Sequence, residues 1–197
     1  MKQNSSVLRG IIKEGTWGFD YELRGEFFYK GILKVDRFSG ISDEIPIIIP
    51  DKYIENIDFD KEIALLGSFR SRNVSVEGKS TLQLYFFTEG ILDLDEVSNS
   101  NSIYLEGYIC KTPVHRLTPF DREICDLLVA VNRNVKKSDY IPCIAWGRNA
   151  NWAKNLKVGE KISLQGRIQS RRFSKPGDIE PNQRVAYEVS ISKISII

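Results

Sequence analysis

Residues 139–148 read DYIPCIAWGR, a short apolar stretch with a proline in its middle and a tryptophan near its end. Successive side chains of a β-strand point to opposite faces. One face would hold side chains small enough for a tightly packed interior: Ile141, Cys143 and Ala145. The other face would hold the two large aromatic side chains with a proline and an isoleucine: Tyr140, Pro142, Ile144 and Trp146. The stretch predicts a strand with one core face and one face on which a ligand can stack.

The same pattern occurs a second time in the chain, which indicates an internal repeat. EIPIII at 44–49 matches YIPCIA at 140–145, and IALLGSFRSR at 63–72 matches ISLQGRIQSR at 162–171. Two further pairs follow the same order: VLRGII (7–12) with YLEGYI (104–109), and FFYKGILKVDR (27–37) with EICDLLVAVNR (123–133). The offset between the copies stays between 96 and 99 residues. A repeat of this length present twice predicts two similar domains rather than a solenoid.

Each copy consists of short alternating strands with one helical segment between the third and fourth strands, at 51–57 and 148–156. This is the layout of an OB-fold barrel, although a generic small barrel or sandwich would show similar alternation. We therefore expect an all-β protein with one short helix per domain and two tandem five-stranded OB-fold barrels. The polar run SNSNS at 98–102 reads as a linker between domains at 1–97 and 103–197.

Two segments near the end of the chain show strand alternation clearly. Between Lys161 and Phe173, every second residue from Ile162 to Ile168 is apolar or Gly and is predicted to face inward. The opposite face carries Arg167, Arg171 and Phe173. An aromatic side chain on an otherwise polar and cationic face is poorly explained as core. In VAYEVSISKI at 185–194 the residues predicted to face inward are Val185, Tyr187, Val189 and Ile191.

Composition excludes several classes of protein. The chain has 197 residues, of which 42% are hydrophobic and 27% charged, as is ordinary for a soluble globular protein. MKQNSSVLRG at 1–10 contains no apolar signal core, and no apolar run reaches the roughly 18–20 residues of a membrane span. The three cysteines lack CxxC spacing, so neither a disulfide framework nor a zinc site is expected. We expect a cytoplasmic protein without membrane contact, metal or cofactor.

The two halves differ strongly in charge. Residues 1–97 carry 12 basic and 17 acidic side chains, whereas residues 98–197 carry 16 basic and 9 acidic ones. The halves therefore have formal charges of −5 and +7. This asymmetry indicates a polyanionic partner for the second half; two solvated surfaces of different charge are the alternative.

The second half resembles the bacterial single-stranded DNA-binding protein family. The resemblance runs through LEGYICKTPVHRLTP (105–119), LLVAVNR (127–133), DYIPCIAWGR (139–148) and GEKISLQGRIQSRRF (159–173), and so covers nearly all of residues 102–197. The first half resembles the family only faintly, through the repeat. The resemblance implies an OB-fold that binds single-stranded DNA.

The resemblance also implies roles for particular side chains. It makes Tyr140, Trp146 and Phe173 base-stacking residues, and it places Arg171 and Arg172 on the phosphate backbone. Further phosphate contacts are expected from cations on the same face or at strand ends: Arg167, Arg148 and Arg133. In the alternative interpretation Trp146 closes the barrel end, Tyr140 covers an edge strand, and Arg133 and Arg148 are ordinary surface charges.

The first copy departs from this pattern. The positions that match Trp146, Tyr140 and Phe173 are Pro50, Glu44 and Val74, so all three aromatic side chains are missing there. Arg70 and Arg72 remain, but an acidic surface repels phosphate. We expect the first domain mainly to support assembly.

These observations predict a protein that binds single-stranded DNA without sequence preference, in replication, recombination or repair. The resemblance implies a homodimer with four OB-folds. The alternative is an OB-fold accessory protein of a replication or conjugation complex that binds mainly protein, and RNA is a further possible partner. We do not expect an enzyme. EGKST (77–81) lacks the first glycine of a phosphate loop, and His115 has no second ligand at metal spacing.

Overall fold

The computed structural model describes residues 2–76, 78–134, 137–174 and 184–197, which form twelve strands and three short helices. The first half contains β1 (Asn4–Ile12), β2 (Gly18–Leu23), β3 (Glu26–Asp36), β4 (Ser42–Pro50), β5 (Ile63–Val76) and β6 (Lys79–Leu92). The second half contains β7 (Asn101–Ile109), β8 (Val114–Leu117), β9 (Glu123–Asn134), β10 (Lys137–Trp146), β11 (Lys161–Phe173) and β12 (Arg184–Ile196).

Each half closes into a barrel of five strands. In the first, β1 pairs with β3 and β5, β3 pairs with β4, β5 pairs with β6, and a parallel pairing of β4 with β6 completes the ring. The second ring repeats this order with β7, β9, β10, β12 and β11. This is the strand order of an OB-fold, and the predicted pair of barrels is confirmed. One short strand that was not predicted extends each barrel, β2 on β3 and β8 on β9.

Helical segments follow β4 and β10, between the third and fourth strands of each five-stranded barrel as predicted, but they differ in kind. Residues 148–153 form an α-helix, α1 (Arg148–Ala153), whose Ala150 and Ala153 are buried in the second core. In the first half, Asp51–Asn56 form a 3-10 helix without a buried residue, followed by the buried Ile57. A second 3-10 helix, Leu94–Glu96, precedes the junction between the barrels. None of the helices among the described residues is long and apolar enough to cross a membrane.

The strands β1 and β7 join the two barrels into one twelve-stranded sheet. Ser6 lies opposite Ile103 in this pairing, and these two residues occupy equivalent positions of the repeat. A pseudo-twofold axis therefore passes between them. The segment predicted as a linker at 98–102 overlaps this pairing, since Asn101 and Ser102 already belong to β7. Asn101 also binds the backbone of Ile168 through both side-chain amide atoms.

Two buried carboxylates hold the barrels together and obey the same pseudo-symmetry. In the Asp139 cluster, Asp139 accepts the backbone N–H of Ser71 at 2.7 Å and pairs with Arg133. In the Asp43 cluster, Asp43 accepts the backbone N–H of Ser170 at 2.7 Å and pairs with Arg37. Each carboxylate thus belongs to one barrel and accepts a hydrogen bond from the backbone of the other barrel. Buried carboxylates require such partners.

Candidate nucleic-acid interface

The outer surface of the second barrel carries a groove of about 630 Å³. Ile124 and Ile144 contribute to its lining, and both are nearly completely buried. Five arginines and a single carboxylate belong to the lining of the groove: Arg37, Arg116, Arg122, Arg167 and Arg171, with Glu188. The groove is therefore strongly cationic, which suits a polyanion.

Trp146 lies in this groove, at the end of β10, with 37% of its surface exposed. Its strand partner is Ile124. The opposite face of β10 is buried in the core, as predicted, because Ile141, Cys143 and Ala145 are each at most 3% exposed. One face of β10 thus packs in the core, and the other face belongs to a surface that a ligand can reach.

Arg171 lines the groove, and Phe173 lies beside Arg171 on β11. The Arg171 guanidinium lies 5.6 Å from the centre of the Phe173 ring. It also lies 3.7 Å from Glu188, whose carboxylate accepts a hydrogen bond from Gln169 at 2.7 Å. Half of the Arg171 side chain remains exposed, so the guanidinium is free to meet a phosphate beside an aromatic ring.

Arg167 lies deeper in the groove, where it meets the first barrel. Its guanidinium donates to Gln169 at 3.2 Å and lies 3.5 Å from Asp43 of the first domain. Burial lowers the pKa of the Arg167 guanidinium, and the positive charge of Arg37 lowers it further. The groove is consequently built from both domains.

Tyr140 and Arg133 are placed elsewhere. Tyr140 is 44% exposed on the outer face of β10, but six residues from Trp146, which corresponds to about 20 Å along a strand. Its backbone N–H donates to Ser71 at the domain junction. Arg133 belongs to the Asp139 cluster and donates to the carbonyl of Ser71 at 3.1 Å. Its hydrogen bonds to Asp139 raise the pKa of the guanidinium.

Arg148 and Arg172 lie outside the groove as well. Arg148 is exposed at the start of α1, after Gly147 with its φ of 51°. Arg172 is exposed on β11, and its guanidinium lies 4.0 Å from Glu44 of the first domain. The structure thus places Trp146, Arg167 and Arg171 in one groove with Phe173 beside Arg171, whereas the other four predicted residues lie outside the lining of the groove: Tyr140, Arg133, Arg148 and Arg172.

Sequence reasoning missed three arginines of the groove: Arg37, Arg116 and Arg122. Arg116 lies on β8, and Asp126 accepts a hydrogen bond from it at 2.6 Å, which raises the pKa of its guanidinium. Arg116 lies in a segment that carries the resemblance to the family, but nothing in the sequence pattern predicted β8. Arg37 comes from the other domain, so only the packing of the two barrels reveals it.

The equivalent face of the first barrel is filled by its own side chains. Ile48 pairs with Phe87 where Ile144 pairs with Ser190 in the second barrel. Phe28 and Tyr85 complete a separate buried cluster with Ile48, and Tyr21 stacks on Phe28 at 4.6 Å. Aromatic rings therefore occupy the place of the groove.

The two arginines that the first copy retains already have charged or polar partners on this face. Arg70 lies 3.8 Å above the Phe87 ring and pairs with Glu89 at 2.8 Å. Arg72 pairs with Asp20 at 3.1 Å and donates to Gln83 at 2.7 Å. Neighbouring carboxylates thus neutralise both cations. Among the described residues of the whole chain, no cluster of three or more His, Cys, Asp or Glu side chains is arranged to hold a metal ion.

A five-stranded OB-fold barrel with a cationic, tryptophan-bearing groove on its outer surface is typical of nucleic-acid-binding domains. Residues 100–197, which include the whole second barrel, match the Single-strand binding protein family. The second domain of this chain belongs to that family.

Curated relatives agree with this assignment. Single-stranded DNA-binding protein 3 of Streptococcus agalactiae is 35% identical over 83 residues, which cover 37% of this chain and 58% of that protein. The single-stranded DNA-binding protein of Oceanobacillus iheyensis is 34% identical over 80 residues, with 37% of this chain and 50% of that protein covered. The chain thus spans less than two thirds of the length of these relatives.

Solved structures extend the likeness to both barrels. The wild-type single-stranded DNA-binding protein from Thermus aquaticus superposes with a TM-score of 0.76 over 98% of this chain and 92% of its own. A deletion mutant of the same protein gives 0.72 with 98% and 94% covered. At 18% identity, this likeness establishes the tandem OB-fold alone.

Proposed function

We propose that this protein binds single-stranded DNA without sequence preference, through the groove of its second domain and without cofactor or catalysis. The observation that carries the proposal is the groove itself, with Trp146 exposed among five arginines. Every base has a π-face, so stacking on an aromatic side chain tolerates any sequence and contributes about 1–3 kcal/mol per base. The membership of the second domain in the family supports the same function.

In this proposal the binding residues have three kinds of role. Trp146 and Phe173 stack bases, and Arg171 and Arg167 contact phosphates together with Arg116 and Arg122. Tyr140, Arg148 and Arg172 contact a longer strand outside the groove. Arg133 has a structural role in the Asp139 cluster instead, since its guanidinium pairs with a buried carboxylate.

The two domains have different tasks. We divide the chain into an acidic domain at 1–97, a connection at 98–102 and a binding domain at 103–197. The first domain supports assembly, because aromatic side chains fill its outer face. By resemblance to the family, two chains would form a homodimer with four OB-folds, acting in the cytoplasm in replication, recombination or repair.

A titration with oligo-dT tests the proposal. Binding is followed by quenching of intrinsic tryptophan fluorescence at low and high salt, because each phosphate contact changes the logarithmic salt slope by about −0.7 for a single strand. Strong quenching with a steep salt slope is expected. Absence of binding at low salt would contradict the proposal, and oligo-U in parallel measures the preference for DNA over RNA.

One observation favours a second function, that of an OB-fold accessory protein of a replication or conjugation complex. The acidic first domain exposes Phe19 and Phe27, which are 54% and 42% exposed on β2 and β3. Exposed aromatic side chains of this kind are common in protein interfaces. An apolar protein contact depends little on salt, so the same titration at two salt concentrations separates the two functions.

A further inference from the structure

The two carboxylate clusters at the domain junction differ in one respect. Asp139 faces one arginine, Arg133, whereas Asp43 faces both Arg37 and Arg167. Ser68 follows Gly67 at the position equivalent to Arg167, which follows Gly166. The Asp139 cluster therefore holds the barrels together with one arginine on its carboxylate, and the neighbouring Arg70 pairs with Glu89 instead. The additional cation in the Asp43 cluster is not needed for the junction.

The additional cation also lacks a full set of acceptors. Arg167 Nη1 is buried and has no hydrogen-bond acceptor within the described part of the chain. Its distance of 3.5 Å to Asp43 Oδ2 gives an ion pair but no hydrogen bond. Two guanidinium groups and one carboxylate leave one positive charge in excess. A phosphate at the exposed part of the Arg167 side chain, of which 38% is accessible, would balance that charge.

An exposed phenylalanine stands next to this cluster. Phe38 follows Arg37 in the loop between β3 and β4 of the first domain, and its side chain is completely exposed. Phe38, Arg37 and Arg167 share a depression of about 260 Å³. Arg37 and Arg167 also line the groove that contains Trp146, so the groove continues across the domain junction to Phe38. A single exposed aromatic residue is ordinary, but this one stands where a cationic groove ends.

We propose that Arg167, beside the Arg37–Asp43 pair, forms a phosphate-binding subsite and that Phe38 stacks the adjoining base, so that the first domain contributes directly to the nucleic-acid path of the second. This inference deepens the proposed function and rests on it. The ligand is the backbone and one base of the same single strand that passes Trp146. The filled face of the first barrel is not involved.

The test compares variants of the full-length protein by fluorescence anisotropy with a labelled oligo-dT. Phe38→Ala removes only an exposed side chain and is expected to weaken binding about fivefold or more, as loss of one stacking contact does. Ile41→Ala, in the same loop and also exposed, is the matched control and should bind like the parent. If the parent binds and Phe38→Ala binds equally well, the subsite is wrong while the proposed function stands. If the parent does not bind at all, both are wrong.

A second variant tests the phosphate contact. Arg167→Ser reproduces the arrangement at Ser68 and leaves Asp43 paired with Arg37. We expect the logarithmic salt slope to become shallower by about 0.7, with an unchanged midpoint of urea unfolding within the error of the fit. An unchanged salt slope would overturn the phosphate assignment. Photocrosslinking with 5-iodouracil in the oligonucleotide provides an independent readout: a crosslinked peptide that contains Phe38 supports the stacking role, and crosslinks confined to Trp146 or Phe173 overturn it.

Discussion

Arg72 and Arg171 occupy the same position of the internal repeat, yet their surroundings make them different residues. Arg72 pairs with Asp20, a largely buried carboxylate, and donates to Gln83. Arg171 lies farther from its carboxylate, at 3.7 Å from Glu188, and half of its side chain is exposed beside Phe173. A cation held at hydrogen-bond distance by a largely buried carboxylate gains little from a phosphate, whereas Arg171 has room for one.

These two arginines provide a matched pair for mutation. Arg171→Ala should weaken oligo-dT binding severalfold and make its salt dependence shallower, because one phosphate contact is lost. Arg72→Ala should leave the affinity within a factor of about two, since Asp20 and Gln83 already hold this guanidinium. Anisotropy titrations at two salt concentrations measure both effects. Equal losses of affinity in the two variants would show that both barrels bind DNA.

Arg133 is predicted to matter for folding rather than for binding. Arg133→Ala would leave the Asp139 carboxylate buried and short of its charged partner, which costs about 3 kcal/mol in comparable cases. We expect a clear fall in the urea midpoint of unfolding, while the folded fraction should still bind oligo-dT. Arg116→Ala breaks an exposed pair with Asp126 and serves as the comparison, with a stability loss of at most about 1 kcal/mol.

Two of the three cysteines, Cys125 and Cys143, are buried and behave as small apolar residues. Burial raises the pKa of Cys125 to about 11 and raises the pKa of Cys143 further. At pH 8 only a very small fraction of either cysteine is therefore present as the reactive thiolate. This fraction increases only as the pH rises towards the pKa. Labelling of the native protein with a thiol reagent at pH 8 should be slow at these two positions and become fast after unfolding in urea. Rapid labelling of Cys143 in the native state would contradict its burial.

At the scale of strands and helices, the sequence predicts those strands in which apolar and polar residues alternate clearly. The bounds of β11 agree with the predicted strand from Lys161 to Phe173, because apolar residues or Gly alternate with polar residues from Ile162 to Ile168. Val185 was predicted to face inward but is 41% exposed, since it lies opposite the exposed Arg172 near the end of β11. The strands β2 and β8 escaped prediction because they are short and largely exposed.

Glycines at two positions of each barrel allow strands to approach closely. A Cβ on Gly67 would lie 2.1 Å from the carbonyl oxygen of Phe87, whereas a Cβ on Gly90 would lie 3.8 Å from Leu66. Gly67→Ala is therefore expected to destabilise the protein by about 1–3 kcal/mol through overpacking, and Gly90→Ala should be tolerated. Urea unfolding of the two variants measures the difference, and equal midpoints would refute this interpretation of Gly67.

At the scale of the whole molecule, the internal repeat and the charge difference could be predicted from the sequence, but the groove could not. Trp146, Arg171 and Phe173 were predicted from the resemblance and from strand patterns within one domain, and Trp146 and Arg171 do line the groove. Arg37 was missed because it reaches the groove from the other barrel across the pseudo-twofold axis. The aromatic filling of the first barrel was missed because Tyr21 and Phe28 occupy positions other than those of the second barrel's aromatic residues.

The central claim is that Trp146 is a stacking platform in a DNA-binding groove. Its most direct test is the affinity of Trp146→Ala for a labelled oligo-dT, measured by anisotropy beside Trp152→Ala. Trp152 is the matched control, because it is 41% exposed on α1 but does not line the groove. We predict that Trp146→Ala weakens binding by about 5-fold to 150-fold, as loss of 1–3 kcal/mol of stacking requires, while Trp152→Ala binds like the parent. Equal affinity of the parent and Trp146→Ala, with both proteins folded, would contradict the claim.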